Sequence, residues 1–444
     1  MDLVTRERPA IDRWLPWVAV ALALAVRLLS LTRYPLWFDE LFAVELALRS
    51  PIDLLRGAIA DHTNPPLFYL LLAAWSRTAG ASDAALRLLP ALLGAAAAFP
   101  LVRLGRRCSM DGAGLALLTA VSATAPALVA LSLEVRAYAL ALLLSACFVE
   151  LALRGDRERL TLAVGIALVH THYFGWFVVL GAALASRDAW PRTARIGLAF
   201  LPWALAVAWS ITQSAAPGAT TAWLPAPTVD AVLQLPLFLI AGSGWRPLDL
   251  AIAGIVITLT TIAARRADQP SARPLVLTAL LPIGALLIAS LFRPSFAERY
   301  LIVGAPAACV LLALGLQQLL PRAHRARAVA TVALVTLIAL NNARVRRTTV
   351  EKFDWRDFTA QLRPDVAPTI YAFEGFTALP LAWYAAPHRV ASVHTLGEIR
   401  SRPAWLVVRD GYAPPLDAFG DALHLIAVDS APGQRIRAYR LDAR

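Results

Sequence analysis

Apolar residues fall in long blocks along this chain, at 14–31, 84–102, 112–131, 137–153, 160–172, 173–186, 196–212, 249–264, 275–292, 300–318 and 327–343. A helix needs roughly 20 such residues to cross the hydrocarbon core, and only helices or closed barrels satisfy their backbone there. The pattern predicts a polytopic α-helical membrane protein with about eleven transmembrane helices. The blocks on either side of 172 are short, so that boundary is the least sharply defined.

Three regions do not fit the spanning pattern. Residues 32–83 mix polar stretches with an apolar run, 66–79, read as a juxtamembrane helix on the outer surface. Residues 213–248 are rich in Pro and Gly, hold a second such run at 229–241, and read as a lid over a site. From 344 to 444 the charge rises and the long apolar blocks stop. Short β-like pieces at 369–373, 404–409 and 423–428 alternate there with helix-like pieces at 354–362, 378–385 and 416–422. The expected organisation is therefore a membrane module, 1–343, followed by a small C-terminal α/β extracytoplasmic domain, 344–444.

Sidedness follows from the arginines, which sit in alternate loops: 6–13, 103–107, 154–159, 187–195, 265–273 and 322–327. Short positive loops stay cytoplasmic. The other loops, with Asp39, Glu134, His170, Glu298 and the tail, then face out. Counting 66–79 or 229–241 as crossings would break this alternation.

Composition agrees with a membrane class: 58% of the 444 residues are hydrophobic, 16% are charged, and mean hydropathy is +0.60. The net charge of +12 is spread over short loops, which argues against nucleic acid as a partner. Ala21-Leu22-Ala23 resembles a signal-peptidase site, but the apolar run continues to Leu31, as expected of an uncleaved first span. Cys108, Cys147 and Cys309 have no close mates and read as packing residues.

The candidate chemistry lies in the outward loops. Trp37-Phe38-Asp39-Glu40 sets an acidic pair beside the bilayer, where one carboxylate can take a proton from an acceptor hydroxyl. Adjacent helical residues point about 100° apart, so the other would support from behind or hold a divalent cation. The prolines of His62-Thr63-Asn64-Pro65-Pro66 forbid helix there and fix His62 and Asn64, candidates for phosphate and sugar contacts. Glu134, Arg136, Tyr138, Glu298, Arg299 and Tyr300 flank later spans on the same side. An arginine at the membrane edge stabilises a phosphate leaving group, with Arg299 the first choice and Arg136 the second; each would otherwise snorkel to headgroups. Glu298 would neutralise Arg299. His170-Thr171-His172 offers two imidazoles that would ligate zinc with Asp39 or Glu40, against the simpler reading of helix-capping residues. Arg27, inside the first span, reads as snorkelling to its outer end. Tyr371, Glu374 and Trp383 are surface or packing candidates in the tail.

Taken in order, Trp37-Phe38-Asp39-Glu40, His62-Thr63-Asn64-Pro65-Pro66-Leu67-Phe68-Tyr69, Trp75, Gly80, Leu86-Arg87-Leu88, Glu134-Val135-Arg136-Ala137-Tyr138 and Arg299-Tyr300-Leu301 before Pro306 resemble the protein O-mannosyltransferase-like membrane glycosyltransferases, family 39 of the glycosyltransferase C superfamily. The resemblance covers most of residues 30–315. It implies transfer of a sugar from a polyprenyl-phosphate carrier, with inversion and without a nucleotide sugar, to an acceptor on the outer face. It maps the general base onto Asp39 and the second acid onto Glu40. It leaves metal dependence open, and its protein-modifying members carry a different soluble insert, so the tail departs from them.

The leading expectation is thus an inverting hexosyl- or pentosyltransferase of a bacterial inner membrane, acting on a cell-envelope glycan, lipid or protein. The arginine-for-lysine bias suggests a GC-rich bacterial source. A transporter or lipid-linked sugar flippase would place ionisable residues at the bilayer midplane, often in repeated halves. A non-catalytic envelope scaffold would be indifferent to loss of Asp39.

Overall fold

The structure, a computed structural model, describes residues 10–214, 226–235, 246–265, 272–292, 295–321, 323–348, 353–373, 375–410, 416, 423–431 and 434–442. It divides into two compact units. The first comprises Met1–Leu31, Leu46–Gly80 and Ala85–Arg347; the second comprises Thr32–Glu45, Ala81–Ala84 and Thr348–Arg444.

In the first unit the apolar blocks of the sequence are mostly helical. The blocks appear as Ala10–Leu28, Asp83–Ala96 continued by Ala98–Arg107, Gly112–Thr124 with Pro126–Leu131, Tyr138–Arg154, Glu158–Val169, Gly175–Ala185, Trp190–Gln213, Arg246–Arg265, Ala272–Phe292, Ala305–Leu319 and His324–Thr348. Among the described residues three helices are long and apolar enough to cross a membrane: Asp83–Arg107, Arg187–Gln213 and Ala272–Phe292. Block 112–131 is broken at Ala125, whose ψ of 124° cannot continue a helix into Pro126. The 160–186 region is a hairpin of helices of 12 and 11 residues that turns at His170–Phe174. Its base is tied where Arg192 Nη1 meets Glu158 Oε2 at 2.8 Å. Run 66–79 is a helix, Leu67–Ala79, preceded by a further helix, Pro51–Asp61. Of the 213–248 region, only the short helix Val229–Gln234 and its flanks, and the start of the Arg246–Arg265 helix, fall within the described residues.

Small residues let these helices approach closely, as in membrane bundles. A Cβ on Gly315 would sit 1.9 Å from the Leu259 carbonyl oxygen, and one on Gly181 would sit 2.9 Å from the Thr278 amide nitrogen.

The arginine loops gather at one end of the first unit. One cavity there is lined by Arg107, Glu158, Asp188, Arg192 and Arg273, a second by Arg13, Arg103 and Arg106, and Arg327 Nη2 pairs with Asp111 at 2.7 Å beside the 106–110 turn. The other ends of the same helices carry Tyr138 and the His170–Phe174 turn.

Arg27 does not snorkel. It is fully buried, and its guanidinium donates to the carbonyls of Ala23 (3.0 Å) and Leu128 (3.1 Å) and to Ser132 Oγ (3.3 Å), close to the carbonyl of Ala123 (3.5 Å). The ends of the short helices Gly112–Thr124 and Pro126–Leu131 explain this. A helix end inside the bundle leaves carbonyls without amide partners, and the arginine supplies donors.

In the second unit five strands, β1 (Thr369–Phe373), β2 (Arg389–Val393), β3 (Ala404–Arg409), β4 (Leu423–Ala431) and β5 (Gln434–Leu441), form a mixed sheet of order β2-β1-β3-β5-β4. The β1–β2 and β1–β3 pairs are parallel; β3–β5 and β4–β5 are antiparallel. Helices Trp355–Ala360 and Gly375–Tyr384 cover one face, over a core of Trp355, Phe358, Ile370, Leu381, Trp405 and Ile436. Helix-like run 416–422 lies outside the described residues except for Leu416, and Glu374 lies outside them too.

Asp83 is the polar hub of this unit. Its carboxylate accepts from Tyr384 Oη (2.6 Å), Arg356 Nη2 (3.1 Å) and Trp383 Nε1 (3.2 Å). Tyr384 Oη in turn accepts from the Leu36 amide at 2.6 Å, and Arg356 donates to the Tyr34 carbonyl at 3.0 Å. Burial and then the Asp83 carboxylate push the Tyr384 phenol up from its ordinary range, so it stays protonated as the donor. Trp383 is therefore a structural donor, and Tyr371 likewise binds Ser401 Oγ (2.8 Å) and the Arg400 and Ser401 amides.

Candidate active site

At the end of the first unit opposite the arginine loops, the His62–Pro66 loop is pinned to the His170–Phe174 turn by a bond from the Leu67 amide to the His170 carbonyl, 3.0 Å. His62 ends its helix in the left-handed region (φ 60°), and its Nε2 lies 3.0 Å from Ser210 Oγ. Thr63 Oγ1 donates to Asp61, and Asn64 Nδ2 donates to Thr63 Oγ1 at 3.4 Å. Asn64 is buried, and Tyr69 lies against Thr63 and Asn64. Burial raises the Tyr69 phenol against the pull of Arg136. Pro65 and Pro66 close the loop that carries His62 and Asn64 and lead into the Leu67–Ala79 helix.

His172 is the centre of an aromatic cage. Its ring lies 5.4 Å from Tyr300, 5.9 Å from Phe174 and 6.1 Å from Tyr138, centroid to centroid. The Phe174 amide donates to Nδ1 at 3.2 Å, which places the proton of the neutral ring on Nε2. That nitrogen is buried and makes no hydrogen bond among the described residues. Arg136 and Arg299 both act electrostatically on His172 and on Tyr138, so two cations from distant parts of the chain converge on this cage. Arg136 follows a tight turn closed by its own amide to the Glu134 carbonyl at 2.7 Å. Arg299 and Tyr300 lie in a 3-10 helix, Glu298–Val303, packed beside the Tyr138–Arg154 helix.

Two expectations change. Glu298 does not neutralise Arg299: among the described residues it makes no ion pair, and burial raises its carboxyl above the ordinary carboxylate range. His170 and His172 do not form a pair of ligands. His170 Nδ1 lies 2.8 Å from the Ile166 carbonyl, with its ring edge-on to Phe200, while His172 sits in the cage. Among the described residues no three His, Cys, Asp or Glu side chains cluster as metal ligands.

The acidic pair belongs to the second unit. Asp39 and Glu40 occupy the first turn of the helix Phe38–Leu48, where carboxylates complement the helix dipole. Glu40 is fully buried, and its Oε2 accepts from the Trp37 amide at 3.2 Å, while Asp39 is half-buried. The two carboxylates therefore face different surroundings, as the 100° rotation predicts. Phe38 stacks on Phe376 at 5.2 Å.

Sequence reading missed Asp83, Phe174 and Glu150. The first reads as an ordinary helix start, and Phe174 as one apolar residue among many. Glu150, a carboxylate inside an apolar block, was a signal, since such groups are costly unless paired.

No family model and no curated protein matches the sequence. Among solved structures, the chain is similar to ArnT from Cupriavidus metallidurans, in the apo state and bound to undecaprenyl phosphate, with a TM-score of 0.61 and 16% identity over 97% of this chain and 98% of ArnT. It is also similar to the arabinofuranosyltransferase AftD from Mycobacteria, with a TM-score of 0.56 and 17% identity over 97% of this chain and 40% of AftD. The chain spans less than half the length of AftD. At such identities the likeness shows only that the chain shares its fold with ArnT.

Proposed function

We propose that this chain is an inverting glycosyltransferase that moves a monosaccharide from a polyprenyl-phosphate carrier to a cell-envelope glycan, lipid or protein on the outer face of a bacterial inner membrane. The observation that carries this reading is the convergence of Arg136 and Arg299 on the His172 cage. Two guanidinium groups beside a buried aromatic wall suit an anion joined to a sugar ring. The fold shared with ArnT, which has been seen with undecaprenyl phosphate, supports a lipid-linked phosphate as that anion.

Asp39 removes the proton from the acceptor hydroxyl as its oxygen bonds to the anomeric carbon. The bond from that carbon to the phosphate oxygen breaks, and its electron pair leaves with the polyprenyl phosphate. Arg299 and Arg136 take up the charge on the departing phosphate, where fixed cations act strongly in a low dielectric. Glu40, holding the Trp37 amide, sets the turn that presents Asp39. Asn64 and Tyr300 serve the sugar hydroxyls, and His62, Glu134, Tyr138 and Glu298 complete the substrate surroundings.

The test is transfer of labelled sugar from polyprenyl phosphate by the purified full chain. Asp39→Asn is expected to cut turnover by roughly 10²–10⁴-fold, the usual worth of a general base, with folding and lipid binding retained. Unchanged function would leave a scaffold or transporter as the better reading. Lipid-linked sugars accumulating in a deletion strain, identified by mass spectrometry, would name the donor.

A further inference from the structure

The arginine-rich end of the first unit holds a cavity of about 510 Å³ between the start of the Ala10–Leu28 helix and the end of the Ala98–Arg107 helix. Among the described residues, Arg13, Arg103, Arg106 and Arg107 line it with one carboxylate, Glu150. Glu150 is buried and already shared: its Oε1 accepts from Arg103 Nε at 3.3 Å and from Arg107 Nε at 2.9 Å. Both arginines spend only Nε on it. Their terminal nitrogens, and the whole guanidinium of Arg13, make no hydrogen bond among the described residues.

The rest of the wall is aromatic. Trp17 packs on Phe99 with centroids 4.8 Å apart, and the Arg103 guanidinium lies 5.7 Å over the Phe99 ring. Trp14 and Trp17 are 61% and 57% exposed on the outer side of their helix, where tryptophan marks a membrane interface. Guanidinium forks match phosphate oxygens bidentately, and an indole beside them suits the glycerol and first methylenes of a lipid better than bulk water. Basic pockets between membrane helices at this kind of end are suited to anionic headgroups.

We propose that this cavity binds the phosphate of an anionic phospholipid headgroup, with the acyl chains running out past Trp17. The site is independent of the sugar-transfer reading, because it shares no residue with it. Glu150 acts as the internal counter-charge that orders two arginines before the lipid arrives, and Arg13 closes over the phosphate from the first helix.

The test uses the full chain in neutral detergent, titrated with phosphatidylglycerol, phosphatidylcholine or inorganic phosphate and read by native mass spectrometry and thermal shift. Phosphatidylglycerol should bind more tightly than phosphatidylcholine and raise the melting temperature. Arg13→Gln, at an exposed position with no partner to orphan among the described residues, should weaken it about five-fold, and Arg13→Gln with Arg106→Gln about twenty-five-fold. Arg195→Gln, at the same end but outside the cavity, should leave affinity unchanged. Equal binding of the two lipids, or equal weakening by Arg195→Gln, would overturn the proposal in favour of a diffuse positive surface. Displacement of the lipid by inorganic phosphate at equal potency would overturn it in favour of a free-phosphate site.

Discussion

Single side chains in this protein are placed by what they satisfy, more than by their distance from water. Arg27 shows this, since a cation in the last turn of the first helix donates to carbonyls near the ends of the Gly112–Thr124 and Pro126–Leu131 helices. Arg27→Met keeps the length and removes the donors. It is expected to cost about 1–3 kcal/mol, seen as a lower melting temperature in detergent with no change in lipid preference. Glu298 gives a pH signature of opposite character. Burial raises its folded pKa above the unfolded value, so the folded state holds the proton more tightly. Its penalty is absent below the ordinary carboxylate range, grows as pH rises through the window between the two values, and is constant above it. Melting temperature measured against pH should therefore fall across that window in the parent, and Glu298→Gln should remove that part of the fall.

At the level of elements, close approach and polar hubs decide the packing. Gly315 lets the Ala305–Leu319 helix touch the Leu259 backbone, where any side chain would force the pair apart. Gly315→Val is expected to destabilise by about 1–3 kcal/mol or more, the usual cost of overpacking, measured by thermal unfolding beside Gly284→Ala, whose position is open. The helices themselves were legible, because an uncharged block of this length has few other structures available to it. Their breaks were less so: Pro126 interrupts its block, whereas Pro202 and Pro282 lie within continuous helices. Strands β2 and β5 went unread because Arg389 and the arginines at 435, 437 and 440 hide their apolar positions. The acidic pair and the His62–Asn64 loop could be read from local chemistry. The His172 cage could not, since its rings come from three separate segments and nothing local marks their meeting.

Across the molecule, charge sorts into two ends of the first unit, with arginines at one and the histidine cage at the other. This arrangement predicts the outcome of cysteine labelling in a cysteine-free background. Arg157→Cys should react only with reagents that reach the cytoplasm, and Gln213→Cys, at the other end of the first unit, also with impermeant reagents added outside; reactivity of both from one side would refute the proposed topology. Asp83 has a consequence for anyone rebuilding this protein. Its three donors all come from the last hundred residues, while the residue itself sits at the start of an early helix. A chimera that imports a foreign tail without equivalents of Arg356, Trp383 and Tyr384 would strand a carboxylate and release the Tyr34–Leu36 backbone beside the acidic pair, so the tail cannot be exchanged without carrying those three side chains with it.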